Sequence, residues 1–201
     1  MLKIGVLASG TGTNLQSIID NVKSDALKVK IAAIISDKKD AFAMQRAKRN
    51  EIFNIYIPPR EYTNKKDYEQ ALINVMEEKG VELVILAGFM RILSPYIVDF
   101  YHNRIINIHP SLLPAFPGLN AQKQAFDYGA KVSGCTVHFV DEGMDTGPVI
   151  LQKAVTVKQD DTLEKLKKRI LKQEHKILPQ AIKLYSENRL RIKDRKVIIN
   201  D

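Results

Sequence analysis

The fold is first visible in residues 2–14, which read LKIGVLASGTGTN. Residues 2–8 form a short apolar run of the kind that makes a buried strand, and a glycine-containing turn follows at 9–14. Apolar residues then recur with helical spacing at Leu15, Ile18, Ile19 and Val22. A strand, a glycine turn and a helix in this order predict a βα unit, and such units bind ligands at the carboxyl ends of their strands.

The alternation of strand and helix continues to about residue 109. The apolar patterns predict strands at 29–36, 52–57, 83–87 and 104–108, and helices at 41–49, 65–79 and 95–101. This order predicts the α/β class, with a single doubly wound, Rossmann-like sheet that is mostly parallel.

Beyond residue 110 the pattern changes. Prolines predict a long loop at 110–118, and it is followed by a helix, two strands, a long helix and a terminal hairpin, at 121–128, 132–140, 149–157, 162–186 and 189–199. We therefore predict an antiparallel C-terminal extension and a long C-terminal helix. No linker interrupts the pattern, so we expect one domain over 1–201 with two halves, 1–110 and 111–201.

The composition is that of an ordinary globular protein. Of 201 residues, 45% are hydrophobic and 27% are charged, which is enough for a core without a disulfide or a metal. The single cysteine, Cys135, excludes a disulfide framework and a zinc site with several cysteines. No apolar run approaches the roughly 20 residues that cross a membrane, and the N-terminus does not resemble a signal peptide. We expect a cytoplasmic protein with no membrane partner.

The net charge is positive and unevenly placed. The chain carries 31 Lys and Arg against 23 Asp and Glu, a net charge of +8, which favours anionic partners such as nucleic acid. Residues 158–201 hold 13 basic and 7 acidic side chains, so most of the excess lies there. That stretch lacks the interleaved aromatic residues of a stacking surface, and we interpret it as the solvated face of a helix.

The glycine turn at 10–14, GTGTN, is a candidate anion site. Glycines let the backbone approach a ligand, and the N–H groups at the start of a helix attract an anion. A dinucleotide fingerprint would need a third glycine where Leu15 stands, and no Walker sequence is present, so the pattern favours a single phosphate. The alternative is an ordinary turn capped by Asn14.

A second candidate site follows the strand at 104–108. Asn107 and His109 lie two residues apart on a strand and therefore share one face, where an amide donor and an imidazole can stabilise an oxyanion and move a proton. The alternative is a purely structural histidine. Asp145, in the sequence DTGP, is ordinary turn chemistry unless it reaches His109, in which case it would raise the pKa of the imidazole.

Two further features have open interpretations. Residues 86–93, LAGFMRIL, leave another strand end with an apolar lip that is either core or a slot for a flat ring such as a pterin. Glu174 lies in the i, i+4 row of Ile170 and Leu178, so its carboxylate lies beside the apolar face of the long helix. Such a residue is either paired within the protein or faces a ligand.

Taken together, these motifs resemble one enzyme family. The matching segments are SGTGTN at 9–14, LAGFMRILSP at 86–95, NIHPSLLP at 107–114, VHFV at 137–140, DTGPVI at 145–150 and QEH at 173–175. Over residues 3–190 the chain is similar to the glycinamide ribonucleotide transformylases, which are folate-dependent formyltransferases of purine synthesis.

The resemblance implies formyl transfer from 10-formyltetrahydrofolate, as cosubstrate, to the primary amine of glycinamide ribonucleotide, with no metal. Asn107 and a protonated His109 would stabilise the oxyanion, and Asp145 would keep His109 charged and help to move a proton. The residues that would bind the phosphate and the nucleotide are Gly12, Thr13, Asn14, Arg104 and Glu174. Those that would bind the folate are Lys65, Met90, Arg91, Ile92, Leu93 and Asn107.

The family pattern also sets expectations for structure and for departures from it. It implies that 1–110 is the nucleotide-binding half, that 111–201 carries the catalytic loops, and that the Leu113–Pro114 bond is cis. Some relatives have histidines where this chain has Asn120 and Gln122, and arginine where it has Lys65. Lysine keeps the charge but loses the two-pronged contact with a carboxylate.

Two related activities remain as alternatives, formyltetrahydrofolate hydrolysis and formyl transfer to another acceptor such as initiator tRNA. Enzymes of both kinds carry a further domain, whereas this chain begins at its first strand and has about 15 residues after the long helix. We therefore expect small-molecule substrates and no nucleic-acid partner, in a monomer or a homodimer.

Overall fold

The computed structural model describes residues 1–200 and divides the chain into two compact units, Met1–Ile106 and the residues from Asn107 onward. The strands of the first unit are β1 (Lys3–Leu7), β2 (Lys30–Ser36), β3 (Asn54–Tyr56) and β4 (Leu83–Leu86). Its helices are α1 (Thr13–Lys23), α2 (Phe42–Arg49), α3 (Lys65–Glu78) and α4 (Pro95–Phe100), with a short 3₁₀ turn at Pro59–Glu61. Strand β5 (Ile105–His109) carries the chain into the second unit.

The sheet of the first unit is parallel, in the order β3-β2-β1-β4. β1 pairs with β2 on one side and with β4 on the other. Ile4, Val6 and Leu7 are fully buried, and so is every residue of β4. Continuous apolar runs of this kind form central parallel strands because both faces of such a strand are covered.

The second unit is built around an antiparallel pair. It contains α5 (Ala121–Asp127), β6 (Val132–Phe139), β7 (Val149–Thr156), α6 (Leu163–Ser186), β8 (Leu190–Lys193) and β9 (Lys196–Ile199). β6 and β7 pair antiparallel with a register shift after Val137, and β8 and β9 form a hairpin whose second strand lies parallel to β7. The Thr162 side chain caps α6 by accepting the N–H of Lys165.

The predicted fold class is confirmed: the protein is α/β, with a mostly parallel sheet, an antiparallel C-terminal extension and a long C-terminal helix. The predicted division at residue 110 stays a prediction. The cis bond at Leu113–Pro114 is present. The alternative of a turn capped by Asn14 is not found, because Gly12 is the N-cap of α1 and Asn14 lies in the first turn. Among residues 1–200, no helix is both long and apolar enough to cross a membrane.

Candidate active site

Three predicted catalytic residues come together in the second unit. Asn107 and His109 project from β5, and the Asp145 carboxylate reaches both of them. Its Oδ2 lies 3.3 Å from Nδ1 of His109, and its Oδ1 accepts the amide of Asn107 at 3.4 Å. The contact that would make Asp145 more than a turn residue is therefore present.

The Asp145 carboxylate is contacted from separate parts of the unit. The N–H of Gly118 donates to Oδ2 at 2.8 Å, and Nε2 of His138 lies 3.7 Å from Oδ1. Burial alone raises the pKa of Asp145, but His138, the Gly118 N–H and the nearby His109 outweigh it and lower the pKa below the ordinary value. Asp145 is therefore a carboxylate at neutral pH.

Both ring nitrogens of His109 face acceptors. Nε2–H donates to the carbonyl oxygen of Phe116 at 2.9 Å, and Nδ1 faces Asp145. Burial is the largest influence and lowers the pKa of His109, the Phe116 carbonyl and Asp145 raise it, and His138 lowers it further. The net direction is downward. At 5% exposure, burial lowers the pKa of His109 more than the carboxylate raises it, and a protonated His109 during the reaction stays a prediction.

His138 is a site residue that was not among the predicted catalytic residues. Its Nδ1–H donates to the carbonyl of Phe139 at 2.7 Å, which leaves Nε2 to accept the amide of Asn107 at 3.1 Å. His138 thereby orients the side chain that would bind an oxyanion. The only signal in the sequence was its place in the VHFV segment at 137–140.

Two residues that contact His109 have a left-handed backbone. Phe116 and Asp145 both have positive φ, 53° and 57°. For a bulky side chain such as Phe116 this conformation is a true outlier, and strain of this kind is tolerated where the surrounding structure enforces it. Both residues contact the imidazole, so the strained backbone serves to aim a carbonyl and a carboxylate at one ring.

The loop that follows His109 is fixed to the antiparallel strands. The Thr136 hydroxyl donates to the carbonyl of Ser111 at 2.7 Å and accepts the N–H of Leu113 at 3.1 Å. Nε2 of Gln152 donates to the carbonyl of Leu113 at 2.8 Å. Since these bonds satisfy the loop backbone from β6 and β7, the loop is a rigid support for His109.

Gly147 allows the Asp145 loop to lie against β6. A Cβ at this position would stand 1.8 Å from the carbonyl oxygen of Phe139, closer than any side chain can approach. The glycine of the DTGP segment is therefore required by packing, and it places the loop that carries Asp145.

The candidate phosphate loop belongs to the first unit. It links β1 to α1, and Gly12 adopts a φ of +67° with no side-chain cap on the helix. A Cβ on Gly12 would meet Cα of Ala43 at 2.7 Å, so the loop packs directly against the start of α2. Nε of Arg46 donates to the carbonyl of Thr11 at 2.9 Å. Thr13 and Asn14 form the first helical turn, a position that suits an anion.

The predicted folate residues at 90–93 form a partly exposed lip after β4. Met90 and Ile92 are 58% and 63% exposed, whereas Leu93 is buried. The Arg91 guanidinium lies over the ring of Tyr68, 5.5 Å from its centroid, with Nη1 3.9 Å from Oδ2 of Asp37. The lip therefore presents apolar side chains and one oriented cation.

The remaining predicted residues have mixed surroundings. Lys65 begins α3, half exposed, with Nζ 4.0 Å from Oε1 of Glu69. Arg104 donates to the carbonyl of Phe100 at 2.7 Å and lies over the ring of Tyr101. Glu174 is buried on the apolar face of α6, as predicted.

Asn120 and Gln122, the positions that differ from some relatives, occupy the start of α5. Asn120 is the N-cap, in the left-handed conformation, and Gln122 lies in the first turn. Across residues 1–200, no group of three or more His, Cys, Asp or Glu side chains is arranged to hold a metal ion.

Comparison with known proteins decides the family. The model of the formyl transferase family, Formyl_trans_N, matches residues 2–182. The chain is 46% identical over 183 residues to phosphoribosylglycinamide formyltransferase of Bacillus subtilis, and the match covers 91% of this chain and 94% of that protein. The chain belongs to the formyl transferase family.

Solved structures of the family agree with this result. Glycinamide ribonucleotide transformylase 1 from Symbiobacterium toebii has a TM-score of 0.98 and 49% identity, covering 100% of this chain and 95% of that one. A formyltetrahydrofolate deformylase from Pseudomonas syringae matches with a TM-score of 0.92 but 28% identity, and 66% of that chain is covered. The matches confirm the predicted family and favour the formyltransferase prediction over the deformylase alternative.

Proposed function

We propose that this formyl transferase moves the formyl group of 10-formyltetrahydrofolate to the primary amine of 5′-phosphoribosylglycinamide, in purine synthesis. The observation that carries the proposal is the cluster of Asn107, His109 and Asp145, with Asp145 3.3 Å from the imidazole. The 46% identity to a phosphoribosylglycinamide formyltransferase supports the choice of acceptor.

In the proposed reaction the amine nitrogen bonds to the formyl carbon and the carbon–nitrogen bond to the folate breaks. The amine loses a proton, and the folate nitrogen takes one up. The Asp145–His109 pair is the group we assign to this transfer, since a proton at Nδ1 would lie against a carboxylate. Because His109 starts mainly neutral near pH 7, it has the capacity to receive that proton.

The tetrahedral intermediate carries an oxyanion, for which we propose Asn107 and His109 as donors. The Asn107 amide already donates to His138 at 3.1 Å and to Asp145 at 3.4 Å. The longer bond is the one that an oxyanion replaces more easily. Nε2–H of His109 donates to Phe116, so its contact with the oxyanion requires exchange of that hydrogen bond.

Substrate binding is proposed separately for each part of the substrates. Gly12, Thr13 and Asn14 would bind the phosphate through the start of α1, and Arg104 and Glu174 would contact the nucleotide. The apolar lip of Met90, Ile92 and Leu93 would hold the flat pterin ring, and Arg91 and Lys65 supply positive charge for the folate carboxylates. No step requires a metal, since protonation activates the leaving group.

The test is an acceptor assay with 10-formyltetrahydrofolate and three acceptors: 5′-phosphoribosylglycinamide, initiator tRNA and water. We expect a formylated nucleotide and no more than trace product with the other two. Release of formate without acceptor would identify a deformylase, and formyl-methionyl-tRNA would identify the tRNA enzyme. His109→Ala is the control for a contaminating activity.

A further inference from the structure

The lip at 90–93 is an irregular segment with exposed apolar side chains. It lies between β4 and α4, and Met90 and Ile92 are more than half exposed. Segments of this kind open easily unless other parts of the protein fix their backbone. Two buried polar side chains outside the lip perform this role, one at each end.

Ser9 holds the start of the lip. Its Oγ accepts the N–H of Met90 at 2.9 Å, and its own N–H donates to the carbonyl of Gly88 at 3.0 Å. Ser9 is 4% exposed and is the first residue of the glycine turn that leads to α1. One residue therefore joins the candidate phosphate loop to the candidate folate lip.

Glu69 holds the end of the lip. Its carboxylate accepts the N–H of Ser94 at 2.7 Å and also the Ser94 hydroxyl. Glu69 is 1% exposed, and its nearest cation is Lys65 at 4.0 Å. Burying a carboxylate costs free energy unless hydrogen bonds replace its lost hydration. The two hydrogen bonds from Ser94 provide that replacement for Glu69.

We infer that Ser9 and Glu69 are positioning residues for the folate-binding lip, and that Ser9 also couples folate binding to nucleotide binding. Neither residue needs to touch a substrate. Glu69 bonds to Ser94, next to Leu93, whereas Ser9 bonds to Gly88 and Met90 and is itself part of the glycine turn. The inference rests on the proposed function for the identity of the two ligands.

The two roles predict different binding defects, measured by calorimetry with tetrahydrofolate and with 5′-phosphoribosylglycinamide. In Glu69→Gln, an N–H replaces one acceptor, and we expect tetrahydrofolate to bind about tenfold more weakly, the effect of losing a hydrogen bond to a charged group. Nucleotide affinity should stay within about twofold. The control is Glu78→Gln, the same change at an exposed site on α3.

In the wild-type protein, we expect each ligand to tighten the binding of the other. In Ser9→Ala, tetrahydrofolate should bind several-fold more weakly, and its affinity should no longer depend on the nucleotide. Ser24→Ala, at the exposed end of α1, is the matched control. The inference would be overturned if Glu69→Gln weakened the binding of both ligands equally. It would also be overturned if, in Ser9→Ala, the affinity for each ligand still depended on the other as in the wild type.

Amide hydrogen exchange tests the positioning without any ligand. Exchange at Ser94 should be faster in Glu69→Gln and exchange at Met90 faster in Ser9→Ala, with the amides of β1 unchanged. Ser94→Ala, which removes only the hydroxyl donor, serves if Glu69→Gln fails to fold. If the wild type binds neither ligand, the proposed function fails; if exchange at both amides is unaltered, the positioning inference fails.

Discussion

Oδ2 of Asp145 lies 3.3 Å from Nδ1 of His109. The two groups are charged differently near neutral pH, because the pKa of Asp145 is lowered and the pKa of His109 is also lowered. A carboxylate therefore faces a mainly neutral imidazole, and the pair can bind one more proton. This arrangement suits a reaction in which a proton arrives during the attack of an amine.

Loss of either partner should stop the proton transfer. We expect Asp145→Asn and His109→Ala each to lower kcat by at least about a hundredfold, the range for lost acid–base or oxyanion groups. Steady-state kinetics with both substrates measures this. Glu142→Gln, an exposed carboxylate on the same loop, should keep wild-type kcat. Near-normal turnover in both site variants would contradict the proposed mechanism.

Stability should fall in acid through His109. Its pKa in the folded protein lies below the ordinary value of 6.5, so the unfolded chain binds the proton more readily. As pH falls from about 7 through 6.5 toward the lowered pKa, the free energy of unfolding should decrease. Urea unfolding of the wild type and of His109→Gln measures the difference.

The His109→Gln protein should lose less stability over that pH range, since glutamine takes up no proton. Asp145 acts in a separate window, because its lowered pKa reduces stability only as pH falls below the ordinary carboxyl value of 3.8. Identical pH dependence of the two proteins between pH 7 and 5 would show that His109 titrates normally.

Thr13 and Asn14, at the start of α1, should affect nucleotide affinity and leave folate affinity unchanged. In Thr13→Ala and Asn14→Ala we expect Kd for 5′-phosphoribosylglycinamide to rise about tenfold, with little change for tetrahydrofolate, because each variant removes polar contacts to the phosphate. Calorimetry measures both affinities, and Thr63→Ala, at an exposed position, is the control. Unchanged nucleotide affinity in both variants would contradict the assignment of phosphate binding to this loop.

Cys135 should be inert in the folded protein. It is fully buried on β6, and burial, with a smaller contribution from the Glu174 carboxylate, raises the pKa of the thiol to about 12. Thiolate is the reactive form, so a disulfide reagent should modify Cys135 only as the protein unfolds. Stopped-flow labelling with and without urea tests this, and rapid labelling of the native protein would contradict the burial.

Much of the fold could be predicted from the sequence because its strands are continuous apolar runs and its helices have clear periodicity. The cap of α6 at Thr162 depends on a local pattern, since a hydroxyl three residues before an N–H is enough to make it. The cap of α1 is Gly12, whereas the sequence offered Asn14 as an alternative. Gly12 takes that position because only a glycine fits against Ala43, a contact between residues about 30 apart.

The candidate site shows the same limit. Asn107 and His109 could be paired from strand periodicity, whereas the contact with Asp145 depends on how a loop packs against β6. The downward direction of the His109 pKa could not be predicted, because the sequence contains the nearby carboxylate but does not give the depth of burial. The role of His138 depends on its hydrogen bond with Asn107. The two residues are 31 positions apart, so no local sequence pattern predicts the contact.

The Asp145 carboxylate gathers its partners from β5, from the loop at Gly118 and from β6. The carboxylate has all of these partners only when β5, the loop at Gly118 and β6 are packed together. Turnover should therefore return in a refolding chain only after these segments have packed. Enzyme activity, sampled during refolding, should therefore recover later than the spectroscopic signals of helix and strand formation.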